Sequence, residues 1–285
     1  MTIHVKIIAD SIAENAPRLT TFQLRYPRFI HSEFMTHRML SRSASSSRAI
    51  PVSKLIRDVL EDPAEPVSWG SNQRGMQAGE PLKPWQRAVA RFMWRKSRYV
   101  ACGCAWVSQR VGLHKQVANR LLEPWSHISV VATATDWANF FALRCHKDAD
   151  PTFQLLAAEM KLQYAENRAF ERIKKLKING SHLPYVSDDE RLVNSVESCL
   201  QMSAARCARV SYNNHDGSKA DVERDSALVH QLLGSPVHAS PFEHQAWPDP
   251  LGVKMTPDTM KNGNFAPGWV QHRKIIPNEN ISEYK

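Results

Sequence analysis

The residues best suited to chemistry form a run of serines and arginines near the start of the chain. Residues 41–48 read SRSASSSR, so five hydroxyls accompany two guanidinium groups. Hydroxyls, backbone N–H groups and the planar fork of arginine all bind phosphate oxygens well. Serine runs also form flexible linkers, but such linkers are usually rich in glycine, and this run has none. The run therefore predicts an anion site after a helix, with a linker as the alternative.

Further arginines lie beside small polar residues and could bind the same anion. The set is Arg38, Arg42, Arg48, Arg120, Arg144 and Arg209. Signatures of other chemistries are absent from the sequence: the GxGxxG and GxxxxGK[ST] nucleotide loops, the HExxH and CxxC metal patterns, and the GxSxG elbow. The histidines are not spaced as metal ligands, so we predict no metal site.

Composition narrows the class of protein. The net charge of +9, from 37 Lys+Arg against 28 Asp+Glu, favours an anionic partner such as a nucleotide, a cofactor or a nucleic acid. The five cysteines are odd in number, which favours reduced thiols. No apolar run approaches the roughly 20 residues that span a bilayer, and the first residues lack a signal-peptide pattern. These features predict a soluble cytoplasmic protein.

Hydrophobic patterning predicts a few strands and many helices. A long loop, rich in proline, glycine and amides, is expected over 61–83 and could act as a lid. The helix over 85–110 should be largely buried, and the helix over 151–178 should carry an exposed lysine stripe. Together the elements predict a mixed α and β protein dominated by helix. The predicted strands are 3–9, 19–26 and 128–135, and the predicted helices are 28–39, 54–60, 85–110, 113–122, 137–144, 151–178, 193–212 and 220–233.

One segment resembles the signature of the flavin-dependent thymidylate synthases (ThyX). THRMLSRSASSSRA, residues 36–49, is similar to the family pattern RHRxxSxNExSxRY. The matching positions are His37, Arg38, Ser41, Ser46 and Arg48. The departures are Thr36, Ser43, Ala44 and Ala49.

Two more regions resemble the same family, in an unusual order. Residues 118–150 are similar to its nucleotide-binding region, with Arg120 and Arg144 at the family's arginine positions. CARVSYNNHDG and PVHASPFEH, residues 207–217 and 236–244, resemble elements that precede the signature in the family but follow it here. The resemblance implies one circularly permuted domain, which chains tolerate when the parent termini lie close together. Its parts would be the signature region 1–60, the lid 61–83, a helical nucleotide-binding region 84–180 and the permuted segment 190–285.

The resemblance implies both a fold and an activity. The fold would be α+β, with an antiparallel sheet packed against several long helices. The activity would be C5 methylation of a pyrimidine deoxynucleotide, converting dUMP to dTMP with methylenetetrahydrofolate, FAD and NADPH. A homo-oligomer, either a dimer or a tetramer, is also implied, without a membrane or nucleic-acid partner.

Functional positions of the family carry over residue by residue. Arg144 and Arg38 would be catalytic. The residues implied to bind the nucleotide are Glu33, Ser46, Ser47, Arg48, Arg120 and Arg144. The residues implied to bind FAD are His37, Arg38, Thr133, Asn139, Ser211, His238 and Ser240.

Alternatives to this function stay open at the level of sequence. Glu33 replaces a glutamine of the family, and a carboxylate that accepts from an amino group would favour dCMP. An ion pair between Glu33 and an arginine is the simpler interpretation. Transfer of a hydroxymethyl group is a further variant. A basic nucleic-acid binder that uses the Ser/Arg run and the lysine stripe is the non-enzymatic alternative.

The C-terminal residues repeat part of the signature. QHRKIIPNENISEYK includes the Asn-Glu pair and the tyrosine that residues 36–49 lack. Short patterns recur by chance. Coincidence is therefore one interpretation, and the more specific hypothesis is that this tail completes the site by supplying the groups lost at Ser43, Ala44 and Ala49. Its matching residues are His272, Arg273, Asn278, Glu279 and Tyr284.

Overall fold

A five-stranded sheet forms the centre of the fold. The structure is a computed structural model and describes residues 3–210, 221–249 and 261–280. The strands of the sheet are β1 (His4–Ala13), β2 (Ala16–Pro27), β3 (Ser41–Ala44), β4 (His127–Ala134) and β5 (Lys174–Leu176). They lie in the order β3-β4-β2-β1-β5, antiparallel throughout except that β5 runs parallel to β1 at the edge. A separate antiparallel pair is formed by β6 (Ala246–Pro248) and β7 (Trp269–Gln271).

Helices supply most of the remaining structure. The predicted α+β fold with long helices packed on a sheet is confirmed, and the sheet is mixed rather than wholly antiparallel. The α-helices are α1 (His31–Phe34), α2 (Val52–Glu61), α3 (Pro84–Arg110), α4 (Lys115–Ala118), α5 (Ala138–Arg144), α6 (Pro151–Ala169), α7 (Asp188–Val193), α8 (Val196–Arg209) and α9 (Val222–Leu232). The 3₁₀ helices are Arg28–Ile30, Asn119–Trp125, Ser240–Glu243 and His272–Ile275.

The first face of the sheet carries the main core. Phe22, Leu24 and Tyr26 alternate along β2, so all three point to one face, where they pack against Phe140 of α5 and Phe153 of α6. All five side chains are fully buried. Burial of each such side chain stabilises the fold by about 1.5–3 kcal/mol, so this layer holds β2 against α5 and α6.

The second face of the sheet is polar at its centre and lies under α8. Thr21 of β2 stands directly opposite Thr133 of β4, and Thr133 stands opposite Ser41 of β3. These hydroxyl side chains are buried. Because neighbouring residues in a strand face opposite sides, the same strands can be apolar on one face and polar on the other.

Residues 28–48 differ from the helix and loop that the sequence predicts. The helix ends at Phe34, since Arg42 Nη1 donates to the carbonyl oxygens of Phe34, Met35 and His37 at 2.8–3.3 Å. A continuing helix would use those oxygens for its own hydrogen bonds. The first part of the serine run is strand β3, not loop, because Ser41 and Ser43 point inward toward the polar face of the sheet.

Other elements follow the predicted pattern with local corrections. The helix that begins at Pro151 ends at Ala169, and the lysines expected on its exposed face instead lie in or just after β5. The helix predicted over 113–122 is only α4, followed by a 3₁₀ helix, and α7 was not predicted. Residues 62–83 contain no α-helix or strand, close to the predicted loop 61–83, and the role of this loop as a lid stays a prediction.

The prediction that α3 is largely buried is wrong for this chain. Only Cys102 and Ala105 of α3 are buried, because one side of the helix packs on α2 and Asn119–Trp125 and nothing among the described residues covers the other. Its exposed side carries Trp85, Phe92, Tyr99 and Trp106. A partner in a homo-oligomer would cover such a face, and that oligomer remains a prediction. Among the described residues, no helix has the length and apolarity needed to cross a bilayer.

Candidate active site

Arg144, the last residue of α5, makes four hydrogen bonds, two to Glu33 and two to the signature segment at Thr36 and His37. Its Nε donates to His37 Nε2 at 2.7 Å, and its Nη1 donates to Glu33 Oε2 at 3.1 Å. Its Nη2 donates to the Thr36 hydroxyl at 3.0 Å and to the Glu33 carbonyl at 3.4 Å. The guanidinium also lies 4.7 Å from the centre of the Phe153 ring. Residues 107 to 111 positions apart in sequence thus form one cluster, which we call the Arg144 cluster.

The charges in this cluster are set by burial and by arginines. Burial, Arg144 and Arg42 together lower the pKa of His37 to about 4, so this imidazole is neutral at pH 7 and accepts the Arg144 proton. Burial and the nearby Asp150 raise the pKa of Glu33, although Arg144 acts in the opposite direction. The Glu33 side chain is 41% exposed, so a ligand could reach the position that its carboxylate occupies.

Two of the residues predicted to bind phosphate, Ser47 and Arg120, contact Glu123. Its Oε1 lies 3.2 Å from the Ser47 hydroxyl and 3.4 Å from Arg120 Nη1. Arg28 Nη2 lies 3.2 Å from the same oxygen. The Glu123 carboxylate oxygen therefore lies among hydroxyl and guanidinium donors. A phosphate oxygen in the same position could accept hydrogen bonds from the same donors. Arg48 is exposed, and its backbone N–H donates to the Ser46 hydroxyl at 3.3 Å.

Two of the predicted arginines, Arg120 and Arg144, therefore belong to separate hydrogen-bond networks. Arg120 belongs to the Glu123 network, whereas Arg144 belongs to the cluster with Glu33 and His37. The segment from Arg28 to Glu33 links the two networks, since each network includes one end of it.

A cationic cleft lies next to the signature segment. It has a volume of about 540 Å³, and Arg38 and Ser240, both predicted to bind FAD, line it together. Arg273 and Lys274 of the C-terminal segment line it as well. The two positions carried over from the resemblance thus face the same space, together with residues near the chain's end.

Thr133 is placed differently from its implied role in binding FAD. It is fully buried, and its hydroxyl shares hydrogen bonds with the Thr21 hydroxyl at 2.7 Å and His244 Nδ1 at 2.8 Å. A side chain with no exposed surface and with its hydroxyl already paired has nothing to offer a cofactor in this conformation. Thr133 instead belongs to a buried chain of hydrogen bonds. The chain runs Ser11, His182, Thr21, Thr133, His244, Ser43.

The remaining predicted residues are scattered. Asn139, near the start of α5, is exposed, and so is His238, just before the Ser240–Glu243 helix. Ser211 and Tyr284 lie outside the described residues.

Two residues at the site were missed by reasoning from sequence, and the role of a third was not foreseen. Glu123 contacts Ser47, Arg28 contacts Glu123, and Arg42 binds carbonyl oxygens of the turn before and after Thr36. Arg28 directly follows Pro27 in the YPR sequence, but nothing local indicates that its partner lies 95 positions away. Arg42 was recognised only as a possible anion ligand.

Metal and thiol chemistry receive no support from the described part of the chain. No three His, Cys, Asp or Glu side chains within it converge as metal ligands. All five cysteines are free thiols. Burial raises the pKa of the Cys102, Cys145, Cys199 and Cys207 thiols, which disfavours the nucleophilic thiolate.

Comparisons with known proteins give a likeness of fold. No protein-family model matches the chain, and no curated protein matches it. Its fold is similar to two crystal structures of PolB, a UMP/dUMP methylase from Streptomyces cacaoi. The complex with 5-Br dUMP has 16% identity and a TM-score of 0.47, covering 60% of this chain and 96% of PolB. The complex with 5-Br UMP has 17% identity and a TM-score of 0.46, covering 61% and 96%. Both solved structures are thus of a pyrimidine nucleotide methylase, and likeness at this level does not extend to residue roles.

Proposed function

We propose that this protein is a flavin-dependent pyrimidine nucleotide methylase that converts dUMP to dTMP with methylenetetrahydrofolate. FAD and NADPH are its proposed cofactors, and a permuted, homo-oligomeric ThyX-like enzyme is the proposed class. The observation that carries the proposal is the Arg144 cluster. Two regions that resemble one family in sequence, 36–49 and 118–150, meet there through the contact of 2.7 Å between Arg144 and His37.

A third region with the same resemblance packs beside them. His244 closes the HASPFEH element, and its Nε2 shares a hydrogen bond of 3.0 Å with the Ser43 hydroxyl. Ser240 of the same element lines the cleft with Arg38. Contact among all three regions is the arrangement expected if a permuted order builds one site.

The nucleotide would be held at its two ends by different groups. Ser46, Ser47, Arg48 and Arg120 would bind the phosphate, with Glu123 giving way to it, since carboxylate and phosphate oxygens use the same donors. Arg144 would face the pyrimidine and stabilise negative charge that develops on a ring carbonyl. A preorganised donor of this kind lowers the activation free energy by about 2.7–4 kcal/mol in comparable enzymes.

The cleft beside Arg38 fits the chemistry of a dinucleotide cofactor. Its lining carries four cationic side chains and one carboxylate, a donor set suited to phosphate groups. When bound and reduced by NADPH, the flavin would supply the hydride that a C5 methylation needs. His37 stays neutral at pH 7 and keeps Arg144 oriented by accepting its Nε proton.

The proposal is tested by measuring turnover of the purified protein. Supplied with dUMP, methylenetetrahydrofolate, FAD and NADPH, it should form dTMP, and protein stripped of its bound flavin should form no product until FAD is added back. The purified protein should also be yellow with bound flavin. dCMP assayed in parallel shows which base is used.

The opposite result would favour a nucleic-acid binder. A colourless protein that forms no methylated product with either nucleotide, but binds DNA or RNA with steep salt dependence, would overturn the proposal.

A further inference from the structure

The cleft beside Arg38 is closed on one side by the C-terminal segment. Residues 261–280 are anchored to the signature segment by three side-chain contacts. Ser41 Oγ donates to Asn264 Oδ1 at 2.9 Å, and Asn264 Nδ2 donates to the Met39 carbonyl at 3.2 Å. Gln271 Nε2 donates to Ser41 Oγ at 3.2 Å. The two segments therefore form opposite walls of the same space.

The C-terminal wall carries cations that are held in place by carboxylates. Arg273 Nη1 donates to Glu243, and Arg273 Nε donates to Glu279 Oε2 at 2.6 Å. Lys274 Nζ donates to Glu279 Oε1 at 2.6 Å. These bonds restrict the rotamers of Arg273 and Lys274, so less conformational entropy is lost when they bind a ligand.

The opposite wall carries a cation with no partner. Arg38 is exposed, and no hydrogen bond or ion pair involves its guanidinium within residues 3–210, 221–249 and 261–280. Arg42 lies beneath it, fixed by the three carbonyl oxygens at the end of the helix. Four cations, Arg38, Arg42, Arg273 and Lys274, stand against two carboxylates, Glu243 and the Glu279 that pairs with Arg273 and Lys274, so an excess of positive charge remains. A bound anion would offset that excess.

We propose that this cleft is a phosphate-binding subsite in which Arg273 and Lys274 of the C-terminal segment act together with Arg38. The inference rests on the proposed function and extends it, because it assigns a role in ligand binding to the C-terminal segment that repeats part of the signature. Arginine forks on one wall and a fixed arginine and lysine on the other suit a phosphate or diphosphate group, whose oxygens accept from several directions.

The test compares phosphorylated ligands with unphosphorylated ones. Binding of FAD, riboflavin, dUMP and deoxyuridine is measured by calorimetry with the full-length protein and with Arg38→Gln, Arg273→Gln and Lys274→Gln. Each variant should raise the Kd for FAD or for dUMP at least tenfold. The Kd of the corresponding unphosphorylated compound, riboflavin for FAD or deoxyuridine for dUMP, should change less than twofold. The affected compound identifies the source of the phosphate. Lys177→Gln, an exposed lysine outside the cleft lining, is the control of equal charge and should change neither value.

Loss of folding cannot mimic the expected result. Arg38 has no partner to lose among the described residues, so Arg38→Gln should keep the wild-type unfolding midpoint even if Arg273→Gln does not. The proposal is overturned if Arg38→Gln and Lys274→Gln bind FAD and dUMP as the wild type does, or if the wild type binds neither. Phosphate-dependent binding without formation of dTMP would instead contradict the proposed function and leave the subsite in place.

Discussion

Two polar networks of this protein each join distant segments, but one is buried and the other is partly exposed. The chain from Ser11 to Ser43 crosses four strands beneath α8, and every member of it is at least nine-tenths buried. The Arg144 cluster lies at the end of α5, with Glu33 41% and Arg144 18% exposed. The buried network has hydroxyls and imidazoles already paired with one another, so it can stabilise the fold but has little to offer a ligand.

The exposed cluster differs in both charge and access. A partly exposed ion pair contributes little to stability, about 0–1 kcal/mol, because water screens it. The same exposure lets a ligand replace Glu33 as the partner of Arg144. Polar residues of this protein are therefore divided into a set that stabilises the sheet and a set that is available for chemistry. The four predictions below test that division.

The largest effect is expected on catalysis, from Arg144→Gln. Loss of the guanidinium should lower kcat/KM for methylation by about 10²–10³, the usual cost of removing one preorganised donor. The free energy of unfolding should change by less than about 1 kcal/mol. Arg57→Gln, an exposed arginine of α2, is the matched control and should leave both quantities unchanged. Wild-type kinetics for Arg144→Gln would remove this residue from the mechanism.

The next effect concerns stability, and the same substitution is compared in the two networks. Thr133→Val should reduce the free energy of unfolding by about 2–3 kcal/mol, because the Thr21 hydroxyl and His244 each lose a buried partner. Thr36→Val removes a hydroxyl that accepts from Arg144 at an exposed position and should cost less than about 1 kcal/mol. Chemical denaturation measures both. Equal losses would show that burial does not separate the networks.

A pH dependence should follow from the same burial. Burial lowers the pKa of His182 and of His244 to about 3, and Arg191 acts in the same direction on His182. The unfolded chain therefore binds more protons below its ordinary histidine pKa of about 6.5, and the folded protein loses stability as the pH falls. At pH 5 the expected loss is about 2 kcal/mol for each of these histidines relative to pH 7.5.

Denaturation at the two pH values measures this effect. His146→Gln, at an exposed histidine, should leave the pH dependence unchanged. Stability that stays constant between pH 7.5 and 5 would mean that the two imidazoles are protonated inside the fold.

The smallest effect is expected from Glu33→Gln. Glu33 is half-exposed and pairs with Arg144, so its neutralisation should change the free energy of unfolding by less than about 1 kcal/mol. We expect the ratio of dUMP to dCMP turnover to stay the same, because a ligand that replaces Glu33 contacts the Arg144 guanidinium and not the carboxylate. A shift of that ratio toward dUMP in Glu33→Gln would show instead that Glu33 contacts the base.

Much of the fold follows from local pattern. The strands around 3–9, 19–26 and 128–135 were predicted within a few residues, because alternation of apolar residues reports one buried face directly. The short helix ending at Phe34 could not be predicted, since Arg42 ends it by binding carbonyl oxygens from a separate strand. The exposure of α3 could not be predicted from sequence either. An apolar helix has the same sequence pattern whether it packs against its own chain or against another chain.

The sequence by itself determined which residues could do chemistry: the serines and arginines of 41–48, Arg120, Arg144 and the C-terminal residues that repeat part of the signature. Only the tertiary structure decided their partners. It placed Arg144 on His37 and Glu33, Glu123 beside two residues predicted to bind phosphate, and Arg273 across a cleft from Arg38. The tertiary structure also buries Thr133, which the resemblance had implied to bind FAD. The physical reason is that residue type determines what a side chain can donate or accept, whereas burial and long-range packing determine whether those groups are already paired.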